Sequence, residues 1–275
     1  FPGSVCWELP TDEQAAYVSH MRAWGYDVDL LDGKAIAARE PALTFVPDSA
    51  VLSRQEGDIE PVAATLALLA AFRERGGTVI EDMCTGLDVA GARVRAVESG
   101  DQRVEVDAVV LATGADTDLL SGLGYAPPID APAGLLIYTT PSAPTLTGLV
   151  LSDKVHMRQT PDGAIVAGSD YGGAKVGDDA METAREVFGT VTELLPQAGL
   201  ELASYVVGFR PTPGDGFPIV GFVPGIDNAY VTVTHSGITL APAIGQMSAR
   251  EILHGERDPL LQPYSPLRFT DGTTI

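Results

Sequence analysis

The run Val106-Asp-Ala-Val-Val-Leu-Ala112, followed without a break by Thr113-Gly114-Ala115, constrains this chain more than any other stretch. A strand with so few polar side chains suits burial on both faces, a condition met where helices cover a parallel sheet. We therefore expect one strand over residues 104–112 in an α/β fold. In such folds ligands gather beyond the carboxyl ends of strands, where the Ala-Thr-Gly-Ala turn would lie. Gly114 has no Cβ, so a bound group can come close to the backbone there. The same turn also suits a purely structural role, so the chemistry has to be sought along the rest of the chain.

Around this run, strand-like and helix-like segments alternate. Residues 4–9 read as a short strand and Thr11–Trp24 as a helix, with Thr11 as N-cap and Gln14 at N3 of a capping box. Strands are expected at 27–31 and 50–54, with a short helical piece between them that closes at Glu40-Pro41. Pro61 suits the first position of an Ala/Leu-rich helix that Gly76-Gly77 stop. Four strand-like runs follow at 78–80, 85–90, 93–98 and 104–112, with hairpin turns at Ala90-Gly91 and Ser99-Gly100-Asp101. Beyond a proline-rich crossover at 127–132 lies an antiparallel-looking block at 134–140, 148–151, 155–159 and 164–168. A helix over 179–195, strands at 201–209, 218–223 and 229–233, and a helix over 240–253 stopped by Gly255 complete the pattern.

With 275 residues the chain can bury roughly 70–75 % of its unfolded surface, so it needs no disulfide or metal staple. Cys6 and Cys84 lie far apart and show no metal or CxxC spacing; reduced thiols are expected. Against 37 acidic residues stand 17 basic ones, a formal net charge of −20. Such a surface repels nucleic acid and anionic lipid, so neither is an expected partner, and a diffuse acidic coat serves solubility. There is no apolar run of membrane-spanning length and no basic-then-apolar leader, which gives the expectation of a cytoplasmic protein without membrane insertion. Residue 1 is Phe, not an initiator Met.

Two further segments can carry chemistry. In Val207-Gly-Phe-Arg-Pro-Thr-Pro-Gly-Asp-Gly-Phe-Pro218 a strand ends on Arg210 and then breaks at two prolines. An arginine fixed in this way suits bidentate capture of a carboxylate; the other reading is a surface pair with Asp215. In Thr234-His-Ser-Gly-Ile-Thr-Leu-Ala-Pro-Ala-Ile-Gly245 a strand turns into a helix start. The free N–H groups there can receive a partly negative ligand atom, and Pro242 suits a first helical turn. Alone, His235 suits a satisfied structural histidine better than a catalyst.

Taken in order, these motifs resemble the D-amino-acid oxidase/glycine oxidase/sarcosine oxidase family of FAD enzymes. The resemblance runs from Gly3-Ser-Val through Leu30-Leu-Asp, Arg39-Glu-Pro-Ala-Leu43 and Glu56-Gly-Asp-Ile-Glu-Pro61. It continues through the Ala-Thr-Gly-Ala turn, Gly-Phe-Arg-Pro with Asp-Gly-Phe-Pro, and His-Ser-Gly-Ile-Thr-Leu-Ala-Pro. It implies an FAD-binding Rossmann-like α/β domain with an inserted antiparallel β-sheet substrate domain. Residues 1–55 and 131–207 would form the substrate domain, 56–130 and 208–275 the FAD domain. Arg210 would bind the substrate carboxylate. Cys84 and Thr85 would lie by the adenosine, and Ala112, Thr113 and Gly114 would line the nucleotide. His235, Ser236, Gly237, Ile238, Thr239 and Leu240 would wrap the pyrimidine edge of the flavin, where reduction builds negative charge. Tyr138, His156, Arg158 and Tyr171 are candidates for the pocket wall, although each reads more simply as an ordinary strand or loop side chain. The implied reaction oxidises the C–N bond of a small amino acid or secondary amine to an imine by hydride transfer to flavin N5, with no strong protein base. Neither cysteine lies near Arg210 or His235, so a non-covalent FAD is expected.

One departure is large. Full-length members open with strand–GxGxxG–helix, and glycines at that spacing occur nowhere here; Gly172-Gly-Ala-Lys-Val-Gly177 does not match it. A complementing segment or chain that carries the motif is therefore expected. A second polypeptide, a cleaved precursor and a longer chain are all open as its source. Two other readings stand beside the enzyme: a non-catalytic scaffold subunit of a flavoenzyme complex, and an FAD-dependent 2-hydroxy-acid dehydrogenase.

Overall fold

The computed structural model describes residues 1–143, 145–169, 176 and 179–270. The chain forms two compact units, Phe1–Ala64 with Ala133–Gly208, and Thr65–Pro132 with Phe209–Ile275.

The first unit is built on a mixed sheet. Its strands run in the order Leu202–Phe209, Ala133–Thr139, Ile165–Gly168, His156–Gln159, Leu149–Leu151, Ser4–Cys6, Ser49–Ser53 and Val28–Asp32. From Ala133–Thr139 to Val28–Asp32 the ladders are antiparallel, except that Ser4–Cys6 lies parallel to Leu149–Leu151. Because side chains alternate across a strand, register assigns the faces. Val5, Leu52, Val150, Met157, Ala167 and Ile137 share the face that packs on Ile36 and on Ala184, Val187, Val191 and Leu194. The last four recur at helical spacing along Ala180–Leu194, which buries that stripe. Asp179 caps this helix, its Oδ1 accepting from the N–H of Met181 at 2.9 Å and of Glu182 at 3.2 Å.

The helix Thr11–Ala23 begins at the expected place but not with the expected cap. Thr11 is its first residue and Pro10 sits at the cap without a side-chain bond. Gln14 is drawn inward instead. Its Nε2 donates to Leu9 O at 2.9 Å and its Oε1 accepts from Ser49 Oγ at 2.7 Å, which ties the helix to a strand. Glu40 of the Arg-Glu-Pro motif is fully buried and accepts from the N–H of Thr147 at 2.9 Å and from its hydroxyl. That motif is architectural.

In the second unit Val109–Leu111 runs parallel to Ala229–Val233, which pairs antiparallel with Ile219–Phe222. A meander of Gly86–Ala90, Arg93–Ser99 and Gln102–Glu105 turns at the two expected hairpins. Asn228 fastens the meander to the sheet. Its Oδ1 accepts from Val94 N–H at 2.8 Å, and its Nδ2 donates to Val94 O at 2.8 Å and Asp107 O at 2.9 Å.

Three expected elements differ. The single strand over 104–112 is two, Gln102–Glu105 in the meander and Val109–Leu111 in the parallel ladder, because the chain changes sheets around Asp107. Residues 78–80 form no strand; among the described residues no strand pairs with them. The last helix starts at Gly237, three residues early, so Pro242 lies inside it rather than in its first turn.

Candidate functional site

In the second unit, two of the segments picked out by sequence meet. Val109–Leu111 and Ala229–Val233 are adjacent and parallel, with Ala229, Tyr230 and Val231 opposite Val109, Val110 and Leu111. Their carboxyl ends therefore point the same way, and Ala112–Gly114 and His235–Leu240 both leave the sheet at that end. Gly114 has a φ of +65°, a conformation that favours glycine, with open space around its missing Cβ. Thr113 Oγ1 donates to Asp116 O at 2.5 Å and so points back into its own turn.

The helix Gly237–His254 opens directly from the strand through Thr234, His235 and Ser236. Ser236 occupies the cap position with no side-chain bond to the helix among the described residues. Its N–H instead donates to Thr234 Oγ1 at 3.2 Å, and its Oγ lies 2.9 Å from His235 Nδ1. The first-turn N–H groups of Gly237, Ile238 and Thr239 have no partner within the helix, by its geometry. They form a donor cluster at the positive end of an eighteen-residue helix, an arrangement that suits an electron-rich ligand edge. Cys84 and Thr85 lie elsewhere, at the entry to the meander. Thr85 N–H donates to Glu98 O at 2.8 Å, and the Cys84 thiol sits 3.6 Å from Gly86 O.

Arg210 is held on both sides. Its N–H donates to Pro132 O at 3.0 Å, Pro211 follows it, and Thr212–Pro213 pairs with Ile129–Asp130. The proline-rich stretch 127–132 thus forms the backing of the arginine. Asp215, the alternative partner, is engaged elsewhere: its Oδ2 accepts from Arg268 Nε at 2.6 Å and its Oδ1 from Nη2 at 3.1 Å. This bidentate bond holds the Asp215 carboxyl below its ordinary pKa. Arg210 Nη1 is shielded from solvent and has no hydrogen-bond partner among the described residues. A buried guanidinium nitrogen without an acceptor is costly, which makes it a ready receptor for an anion.

In the first unit, register brings three candidates to one sheet face. Tyr138, Val166 and Arg158 form one cross-strand row, and Gly168 and His156 belong to the next. His156 Nε2 stands 3.5 Å from a Glu8 carboxylate oxygen. Arg158 Nη1 pairs with Asp58 at 3.1 Å and with Glu60, so its charge is already matched within the protein. Tyr171 lies outside the described residues. Sequence reasoning missed the Arg268–Asp215 pair, because 53 residues separate its members and Arg268 stands in no motif that points to it.

A cofactor with an electron-rich ring edge fits these features: a helix start without a side-chain cap and a glycine turn at one end of a parallel ladder, with an arginine in the same unit whose Nη1 has no acceptor among the described residues. Comparison with known proteins points the same way. The family model described as FAD dependent oxidoreductase matches residues 5–251. A glycine oxidase of Pseudomonas aeruginosa is 32 % identical over 186 residues, 64 % of this chain and 50 % of that protein. One of Pseudomonas putida is 31 % identical over 191 residues, covering 66 % and 51 %. The chain thus spans about half the length of these curated relatives. Among solved structures, L-proline dehydrogenase from P. horikoshii superposes with a TM-score of 0.88 at 23 % identity, over 99 % of this chain and 78 % of that one. Glycine oxidase from Geobacillus kaustophilus gives 0.82 at 19 % identity, over 99 % and 75 %. The fold is that of flavin-dependent amino-acid oxidoreductases. The chain belongs to the D-amino-acid-oxidase-type family of FAD-dependent oxidoreductases.

Proposed function

We propose that this chain supplies the substrate-binding and flavin-ring half of an enzyme that oxidises the C–N bond of a small amino acid or secondary amine to an imine. FAD, held non-covalently, supplies the two-electron acceptor. The helix start at Gly237–Thr239 holds the pyrimidine edge, and Ala112–Gly114 lines the nucleotide. Arg210 binds the substrate carboxylate and so orients the amine-bearing carbon. Tyr138 and His156 belong to the pocket wall. Arg158, matched by Asp58 and Glu60, braces that wall and does not hold substrate. On this reading Thr65–Pro132 with Phe209–Ile275 is the FAD half, and the mixed-sheet unit is the substrate half. A segment that carries the GxGxxG motif completes the nucleotide site.

The observation that carries the reading is the shielded Nη1 of Arg210, which has no acceptor among the described residues, while Asp215 is bound to Arg268. The glycine oxidases among the relatives support a small amino-acid substrate. The test is anaerobic bleaching of the FAD-loaded protein with glycine, proline, sarcosine and a 2-hydroxy acid. The reading expects bleaching by amines and none by the hydroxy acid. The reverse pattern would replace it with hydroxy-acid oxidation.

A further inference from the structure

We infer that Arg268 is a positioning residue for Arg210: from the arm 265–269 it locks the loop that carries that arginine, through a closed ring of hydrogen bonds. Three segments of the second unit meet in that ring. The loop 210–217 lies against the proline-rich stretch, where Arg210 N–H donates to Pro132 O at 3.0 Å and Gly214 N–H to Pro128 O at 2.8 Å. The joint is tight, because a Cβ on Gly214 would meet Pro128 Cγ at 3.1 Å. Tyr125, just before that stretch, donates its hydroxyl to Pro266 O at 2.9 Å and so ties the stretch to the arm. Arg268 then closes the ring back onto the loop.

Every nitrogen of the Arg268 guanidinium is engaged by the protein. Nε donates to Asp215 Oδ2 at 2.6 Å, Nη2 to Asp215 Oδ1 at 3.1 Å and to Phe217 O at 2.9 Å, and Nη1 to Ser265 O at 3.2 Å. Asp215 Oδ1 also accepts from Phe217 N–H at 3.1 Å, so the pair holds both the side chain and the backbone of the turn. The Arg268 and Asp215 side chains are 8 and 9 % exposed. A buried, bidentate fork of this kind fixes geometry in a way that a single point charge does not. The contrast with Arg210 separates the two roles. Arg268 bonds the protein through all three nitrogens, whereas Arg210 Nη1 is shielded and has no acceptor among the described residues. A substrate carboxylate binds better to a guanidinium whose backbone is already fixed, because less freedom is lost on binding. Arg268 lies beyond residues 5–251, so the lock uses a part of the chain that the family match does not reach.

The inference rests on the proposed carboxylate role of Arg210 for its kinetic consequence alone; the lock itself is tested by amide exchange on the full chain. In Arg268→Gln the Arg210 and Gly214 amides should exchange roughly tenfold faster or more. The Val109 and Val223 amides, bonded to Asn228 O and Ala229 O in the same unit, should change little. That substitution leaves the Asp215 carboxylate buried without its partner. The double variant Arg268→Gln/Asp215→Asn carries no such charge and should show the same local loosening. Arg268→Lys, which keeps the charge without the fork, should fall between. In the FAD-loaded protein, the double variant should raise KM about tenfold for the carboxylated amine that bleaches the flavin fastest, with kcat within about twofold. The inference is overturned if the Arg210 and Gly214 amides stay slow in both variants. It is also overturned if all four amides speed up together, which would make Arg268 a general stabiliser of the unit. A loosened loop with unchanged KM, where Arg210→Ala does raise KM, overturns the positioning role. If Arg210→Ala leaves KM unchanged as well, the carboxylate reading fails, and local loosening still supports the lock.

Discussion

Under the proposed function Arg210 is the residue on which the chemistry turns, because of what surrounds it. A guanidinium is planar and always charged, and a shielded nitrogen without an acceptor favours a carboxylate that fills the gap. Substituting Arg210→Ala in the FAD-loaded protein should raise KM for carboxylated amines by roughly 30-fold or more, the equivalent of at least about 2 kcal/mol. Arg210→Lys should fall between, since it keeps the charge and loses the fork. Steady-state kinetics on carboxylated and decarboxylated amines check this; equal effects on both would remove Arg210 from the carboxylate. Two tyrosines set a different prediction. Burial pushes Tyr125 and Tyr230 up to about 12, from an ordinary 10.0. The fold therefore favours the protonated phenols, a stabilisation fully present below pH 10.0 and lost as pH rises through about 12. Thermal melts should be flat up to that range and then fall. Tyr230→Phe, which cannot ionise beside Glu251, should lessen the fall.

At the scale of elements, local patterning was a sound guide wherever an element's partner is close in sequence. The two hairpins of the meander and the strand Ala229–Val233 follow from turn residues and alternation. Patterning misled where tertiary context decides. Residues 78–80 are strand-like in composition and have no strand to pair with. The run 104–112 looks continuous but divides between two sheets. Gln14 gives up a capping box to bond Ser49 across the helix–sheet boundary. The same limit applies to the site. Ala112–Gly114 and His235–Leu240 were each visible as motifs, but their shared end of a ladder depends on a pairing across more than a hundred residues. Asn228 holds that arrangement to the meander. It is 4 % exposed and is bonded to both backbone groups of Val94, which is 1 % exposed. Asn228→Ala would leave both of those groups unsatisfied, and should cost about 2 kcal/mol or more in urea unfolding. A loss within a few tenths would mean that water replaces the amide.

At the scale of the whole molecule, the chain passes three times between its two units, so neither is a continuous piece of sequence. On the proposed function, the second unit holds the cofactor and the first shapes the substrate pocket. The central claim is that these residues bind the flavin ring and the substrate carboxylate, and that a strand–glycine loop–helix segment completes the nucleotide site. The most direct measurement is the visible spectrum of the chain purified with and without that segment, in the presence of FAD, followed by anaerobic addition of glycine. The account predicts flavin bands that co-elute with protein when the segment is present and that bleach with glycine or a related small amine. It predicts weak or absent co-elution for the chain alone. A folded, colourless complex that retains no FAD in either preparation would contradict it.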